Sequence, residues 1–257
     1  MNKDFTCSAS TLNLFITDPC LFILKHYYRL RGDFGIHAMR GKAIEHGVDK
    51  ALEGMSLDKA KDAAVEEFYD LTFELDHDFE EVEDIIPKWI DNALDVLKTE
   101  ANGRVPELQK KLEFELEGIN FVGYLDYDFE DETIDLKTTT KVPKLLVKGK
   151  RKGMLPAGKA ANVRQQVLYR YTTGKPQSLL YVSPKDSLKY TIQDKEYETV
   201  LEEIKKVTKE IKKLLTEGEE YGINKYVPNQ SLFKGFYYNE KMVHKVIELW
   251  KLDDRKL

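Results

Sequence analysis

Residues 112–138 read LEFELEGINFVGYLDYDFEDETIDLKT. Leu112, Phe114 and Leu116 alternate with Glu113, Glu115 and Glu117, the two-residue period of a strand with one face buried. Gly118-Ile119-Asn120 predicts a turn into a second strand, FVGYLDYDF, and Glu130-Asp131-Glu132 a turn into a third, TIDLKTT. Three successive strands joined by tight turns make an antiparallel meander. Asp135 and Lys137 are two apart and leave the third strand by one face, while Ile134 and Leu136 point into apolar packing. The hairpin brings Asp126 beside Asp135. Two carboxylates and an ammonium then converge. Oxygen donors without histidine or thiolate company suit a hard cation such as Mg²⁺ or Mn²⁺. A lysine beside them can hold or activate an attacking water, an arrangement that serves phosphodiester hydrolysis.

Outward from the meander the chain reads as helices first. Asp18-Pro19 is a capping side chain followed by proline at the first helical position, which predicts a helix through CLFILKHYYRL. A second covers AMRGKAIEHGVDKALEG, a third follows Ser56, and a fourth runs from Val82 to Glu100 with Pro87 near its start. After the meander come a basic loop, KVPKLLVKGKRKGMLPAGK, and a helix, AANVRQQVLYRYTTG, closed by Gly174. SLLYVSP reads as a buried strand and SLKYTIQ as a shorter one. YETVLEEIKKVTKEIKKLLTEG is an amphipathic helix whose apolar pattern lasts about two heptads, too short for a long coiled coil. YGINKYVPNQSLFKGFYY reads as loop and KMVHKVIELW as a last helix. The expectation is one α/β domain over 1–257, with a mainly helical portion at 1–105, a sheet core at 106–195 and C-terminal helices and tail at 196–257.

The 257 residues carry a formal charge of -5, and 42% are hydrophobic, so the chain can bury a core. The charge is uneven. From Leu136 to Lys185 there is no Asp or Glu, but that stretch holds Lys141, Lys144, Lys148, Lys150, Arg151, Lys152, Lys159 and Arg164 among others. A basic island in an acidic chain is the footprint of a polyanion partner; the bland alternative is a solvated loop. No apolar run approaches the ~18 residues of a membrane span, and MNKDFTCSAS lacks the apolar core of a signal peptide. Cys7 and Cys20 are the two cysteines, too few for a disulfide scaffold or a four-cysteine metal site. These features lead us to expect a reduced, cytoplasmic protein.

Five stretches together resemble the PD-(D/E)XK nuclease superfamily, in its RecB-type, phage and CRISPR-adaptation-like exonuclease branch. Ser8-Ala9-Ser10-Thr11-Leu12, with Phe15, Asp18-Pro19-Cys20 and Phe22, is similar to the branch's N-terminal opening. Arg40-Gly41-Lys42-Ala43-Ile44-Glu45-His46 resembles the helix motif that supplies a metal ligand. Gly123 to Asp126 and Asp135 to Lys137 match the core motifs, and Gln165-Gln166-Val167-Leu168-Tyr169 matches the Gln-x-x-x-Tyr helix. The resemblance implies a restriction-endonuclease-like core: a mixed central sheet with an antiparallel meander, flanked by helices, with a helical N-terminal portion.

It also implies roles. Asp126, Asp135 and the Leu136 carbonyl would ligate Mg²⁺ or Mn²⁺, with Glu45 or His46 completing the protein ligands. Spacing from the motif glycine favours Glu45; adjacent helical residues diverge by ~100°, so one of the two reaches the ion. Lys137 would orient or activate water. Gln165 and Tyr169, four apart on one helix face, would contact DNA or support the lysine. Lys141, Lys144, Lys148, Lys150, Arg151, Lys152, Lys159 and Arg164 would grip phosphates. Iron–sulfur relatives carry three further cysteines near the C-terminus; the corresponding segment here, Pro228 to Tyr237, has none, so no iron–sulfur cluster is expected. The expected activity is metal-dependent hydrolysis of linear duplex or single-stranded DNA. The setting would be recombination, repair or phage DNA metabolism in a bacterial or phage-infected cell. With no Gly-x-x-x-x-Gly-Lys-Ser/Thr loop, it would act alone or with a separate helicase or single-strand annealing protein. The alternatives are a structure- or sequence-specific endonuclease, a catalytically silent nucleic-acid-binding module and, more weakly, an anionic-membrane binder.

Overall fold

The computed structural model describes residues 5–32, 35–73, 75, 80–233 and 237–252, with backbone alone for 80–83. In chain order its elements are β1 (Thr6–Cys7), α1 (Ala9–Thr17), α2 (Pro19–His26), α3 (Ile36–Leu52), α4 (Leu57–Thr72), α5 (Glu80–Ala101), β2 (Glu107–Leu116), β3 (Ile119–Asp128), β4 (Thr133–Thr138), α6 (Ala160–Thr173), β5 (Gln177–Val182), β6 (Ser187–Thr191), α7 (Asp194–Glu217), α8 (Glu219–Lys225) and α9 (Glu240–Trp250). Short 3-10 turns lie at Ala157–Lys159 and Gln230–Leu232. The fold is mixed α/β, a mixed central sheet with helices against it. The chain divides into two compact units.

One unit holds Phe34–Lys111 and Tyr124–Asp194. Here β3 and β4 run antiparallel, pairing Tyr127 with Ile134 and Asp128 with Thr133. β4 and β5 run parallel from Thr133–Gln177 to Thr138–Val182, so the chain must cross over between them, and α6 is that crossover. β6 then pairs antiparallel with β5. Tyr127, Phe129, Ile134, Leu136, Leu180 and Val182 of the strands pack on Ile44 and Val48 of α3, Phe68 of α4, and Trp89, Ile90 and Leu94 of α5. Burying each such side chain is worth about 1.5–3 kcal/mol. Trp89 is buried whole and its indole N–H donates to the Val182 carbonyl at 3.1 Å. Gly47 lets α3 approach its neighbours: a Cβ there would meet Ile90 and Ala64 at 2.7 and 2.8 Å.

The other unit holds Met1–Asp33, Leu112–Gly123 and Lys195–Leu257. β1 lies parallel to the start of β3, with Thr6 opposite Asn120 and Cys7 opposite Phe121. The β2–β3 turn is Glu117-Gly118, both at positive φ (51° and 74°), the two-residue geometry that matches strand twist. It is thus tighter than the expected Gly118-Ile119-Asn120. Asp18 caps α2 by accepting from the Leu21 N–H at 3.0 Å, and Pro19 follows at the first helical position. Tyr238 donates to the other Asp18 oxygen at 2.7 Å. Leu21 and Leu24 pack with Met242 and Val246 of α9.

Two further readings of the chain need correction. α2 stops at His26 rather than running to Leu30, and Arg29 then turns with φ 53°. The tail taken as loop contains α8. Its Gly222 serves packing, not turning: a Cβ there would lie 2.7 Å from both Ile23 and Leu214. Ser8 and the residues after it form a capped helix, α1, with the Thr11 N–H donating to the Ser8 side chain. Of the tail segment, Lys234 to Phe236 lie outside the described residues. Cys7 and Cys20 are free and buried, and burial pushes both thiols up to about 12. No helix among the described residues is long and apolar enough to cross a membrane.

Candidate active site

The chemistry-bearing residues named from sequence gather on β3, β4, α3 and α6 of the unit built from Phe34–Lys111 and Tyr124–Asp194. Extending the Tyr127–Ile134 register by one residue sets Asp126 across from Asp135. At that point the Asp126 carboxylate enters the ladder: its Oδ2 accepts the Leu136 backbone N–H at 2.9 Å. A strand residue's N–H and C=O leave by the same edge, so the Leu136 carbonyl leaves by the Asp126 edge too. Asp135 is buried, and its Oδ2 lies 2.6 Å from the Lys137 ammonium. Its Oδ1 accepts from Gln165 Nε2 at 3.0 Å. That same Gln165 nitrogen donates to the Tyr169 hydroxyl at 3.1 Å. The Gln-x-x-x-Tyr pair on α6 therefore braces Asp135.

α3 supplies Glu45. Gly41 shapes the approach: a Cβ at 41 would press Thr138 Oγ1 of β4 at 3.3 Å. One helical turn on, Glu45 acts electrostatically on Asp126 and Lys137, and is itself acted on by Asp135. His46 is half-buried.

Charge in this cluster is unbalanced. Burial, then Asp135, then Glu45 hold the Asp126 carboxyl well above the ordinary carboxylate range. Burial raises Asp135 as well, against the pull of Lys137, and it raises Glu45 against a hydrogen bond from Gln109. Burial alone would lower Lys137, yet Asp135, Asp126 and Glu45 together push it upward. Lys137 thus serves all three carboxylates, and Lys42 acts on Glu45 besides. The carboxylate oxygens fit a hard divalent cation in donor type and in charge. As placed, however, no group of three or more His, Cys, Asp or Glu side chains that could hold a metal occurs among the described residues.

The expected phosphate-gripping residues divide. Lys141, Lys144, Lys148, Lys150, Arg151 and Lys152 are exposed, while Lys159 and Arg164 are half-buried. The loop carrying them is tied to itself: the Leu146 N–H donates to the Met154 carbonyl and the Gly153 N–H to the Leu146 carbonyl, at 2.9 and 2.7 Å. Arg151 donates to the Leu155 carbonyl at 3.0 Å, a loop-closing bond. Lys159 lies over the Tyr181 ring at 5.3 Å, and Tyr181 is the β5 partner of Lys137. Glu115 on β2 is exposed.

The sequence reading passed over Gln109, whose Nε2 donates to Glu45 Oε1 at 2.6 Å and Asp49 Oδ2 at 3.1 Å. It passed over Asp49 as well, pushed up to about 6 by burial. The four-residue step from Glu45 to Asp49 on one helix face was the available signal for Asp49; Gln109 had none.

No family model and no curated protein matches this sequence. Among solved structures, the chain is similar to the crystal structure of a "Putative exonuclease" from Eubacterium rectale. The two share 15% identity over 93% of this chain and 87% of that one, with a TM-score of 0.61. This likeness supports a shared fold. SSO0001 aligns at 14% identity over 79% of this chain and 77% of that one, but its TM-score of 0.33 is too low to carry a shared fold.

Proposed function

We propose that this protein is a Mg²⁺- or Mn²⁺-dependent deoxyribonuclease of the PD-(D/E)XK type, acting as an exonuclease on linear DNA. The observation that carries the reading is the Asp126–Asp135–Lys137 cluster, in which the acid across the ladder and the lysine converge on one buried carboxylate. The fold likeness to a protein named as an exonuclease supports it at the level of architecture.

Asp126, Asp135, the Leu136 carbonyl and Glu45 would hold the cation, with water filling the remaining positions. When bound, the ion would polarise the phosphate and lower the pKa of its water. Lys137, beside Asp135, would orient or activate the attacking water and meet charge developing on phosphate oxygen. Water oxygen would bond to phosphorus as the bond from phosphorus to the leaving sugar oxygen breaks; the water's proton passes to solvent and the leaving oxygen takes a proton from solvent to become a hydroxyl. Gln165 fixes the Asp135 orientation, and Tyr169 fixes Gln165. The exposed lysines of the 141–152 loop would contact phosphates without reading sequence.

The test is digestion of end-labelled linear duplex, single strand and closed plasmid in parallel, with Mg²⁺, Mn²⁺ or excess EDTA. Loss of label from linear substrates alone, abolished by EDTA, is the expected result. Digestion that persists in EDTA would overturn the metal assignment, and nicking of closed plasmid would convert the reading to an endonuclease. A second reading, a silent nucleic-acid-binding module, draws support from the absence of a ready-made metal-binding trio among the described residues. DNA binding without any hydrolysis would establish it.

A further inference from the structure

Gln109 lies inside β2 yet has φ 50°. The other described non-glycine residues at positive φ, Arg29, Asn102, Glu117 and Lys251, fall in turns or just beyond helix ends. Left-handed backbone costs a side-chain-bearing residue about 1–2 kcal/mol, and within a strand it marks a bulge that re-aims a side chain. What the re-aimed amide meets is specific: Glu45 at 2.6 Å and Asp49 at 3.1 Å. These two carboxylates stand one turn apart on α3 and repel each other. A lysine at position 109 would relieve that repulsion but would also repel a cation. A neutral amide binds both carboxylates and leaves their charge intact.

We infer that Gln109 is a positioning residue that fixes Glu45 for divalent-cation binding, an inference that rests on the metal-dependent reading of the site. It does not touch the reacting atoms; it acts through Glu45. Hydrogen-bond partners of metal ligands typically govern affinity by about 10–100-fold.

The experiment uses the full chain with Mn²⁺ alone, following free Mn²⁺ by electron paramagnetic resonance. Gln109→Gly removes the amide while accepting the positive φ without strain, so it separates side chain from backbone; a urea melt confirms that it is folded. The expected result is Mn²⁺ affinity weakened on the order of 10-fold. In a Glu45→Gln background, Gln109→Gly should produce no further loss, because its effect passes through Glu45. Gln109→Lys should weaken Mn²⁺ at least as much as Gln109→Gly. Wild-type or tighter affinity in Gln109→Gly overturns the inference, since the residue then serves the bulge alone or holds Glu45 back. Equal losses in both Glu45 backgrounds overturn it too. Wild-type protein that takes up no Mn²⁺ sinks the metal reading as well; unaltered binding in Gln109→Gly sinks this inference by itself.

Discussion

Asp126 and Asp128 stand two residues apart on one face of β3, and both are buried. Their surroundings are opposite. Asp128 takes Lys110 at 2.8 Å and Lys175 at 2.7 Å, with the Thr133 hydroxyl at 3.2 Å. Against the rise that burial would bring, these two ammoniums hold its carboxyl below the ordinary range. Asp126 faces Asp135 and Glu45, shares one lysine with them, and is held well above that range. Two cations settle one acid in the first case; in the second Lys137 serves three acids, with Lys42 acting on Glu45 besides. A compensated cluster serves folding, whereas an uncompensated one is what the proposed cation site requires.

Activity gives the largest contrast. Asp135→Ala or Lys137→Ala should lower metal-dependent DNA hydrolysis on the order of 10³-fold, the scale of losing a group that meets transition-state charge. Asp128→Asn should stay within a few-fold of wild type per folded molecule, measured on the same labelled duplex. Equal losses at 128 and 135 would erase the distinction between the clusters.

Charge already neutralised within the fold should be invisible to DNA. Replacing Lys148, Lys150 and Lys152 by Ala should reduce the slope of log K against log salt by about 0.9 for each phosphate left without its lysine. Arg151 is left in place because its guanidinium closes the loop on Leu155. Lys110→Ala and Lys175→Ala should leave the slope unchanged, since both lysines are engaged by Asp128. Fluorescence anisotropy with Ca²⁺ in place of Mg²⁺ reads both sets. A slope insensitive to the loop triple would place the phosphate-binding surface elsewhere.

The asymmetry between the clusters was partly legible in the sequence. A strand's two-residue period turns Asp135-x-Lys137 into a shared face, and a short antiparallel turn turns Asp126 and Asp135 into opposite numbers. The resemblance pointed to Glu45 or His46, and it is Glu45 that acts electrostatically on Asp126 and Lys137. Gln109 was not: glutamine in Lys-Gln-Lys carries no mark of the left-handed backbone that aims it. β1 was illegible because two residues hold no period. α8 was misread because glycine in Tyr-Gly-Ile signals a turn, whereas Gly222 is there to admit Ile23 and Leu214. Local pattern reports period and caps; long-range contact decides the rest.

Stability against pH should separate Asp126 and Asp128 by sign, in EDTA so that no cation contributes. A raised carboxyl favours folding while protonated: its contribution is whole below the unfolded value, 3.8, and is lost as pH climbs through the folded value. Asp126→Asn removes that loss and keeps an oxygen for the Leu136 N–H, so it should stabilise the chain at pH 8 by about 1 kcal/mol or more and change little at pH 4. Asp128 works the other way. Its lowered carboxyl contributes above 3.8 and loses that contribution as pH falls through the folded value. Asp128→Asn should therefore cost about 2 kcal/mol at pH 8, the usual worth of hydrogen bonds to charged groups, and progressively less below pH 4. Urea melts at pH 4, 6 and 8 for wild type and both variants give the two curves. Curves of the same sign would mean that Asp126 has found a cationic partner after all, and the case for a cation-seeking site on β3 would fail with it.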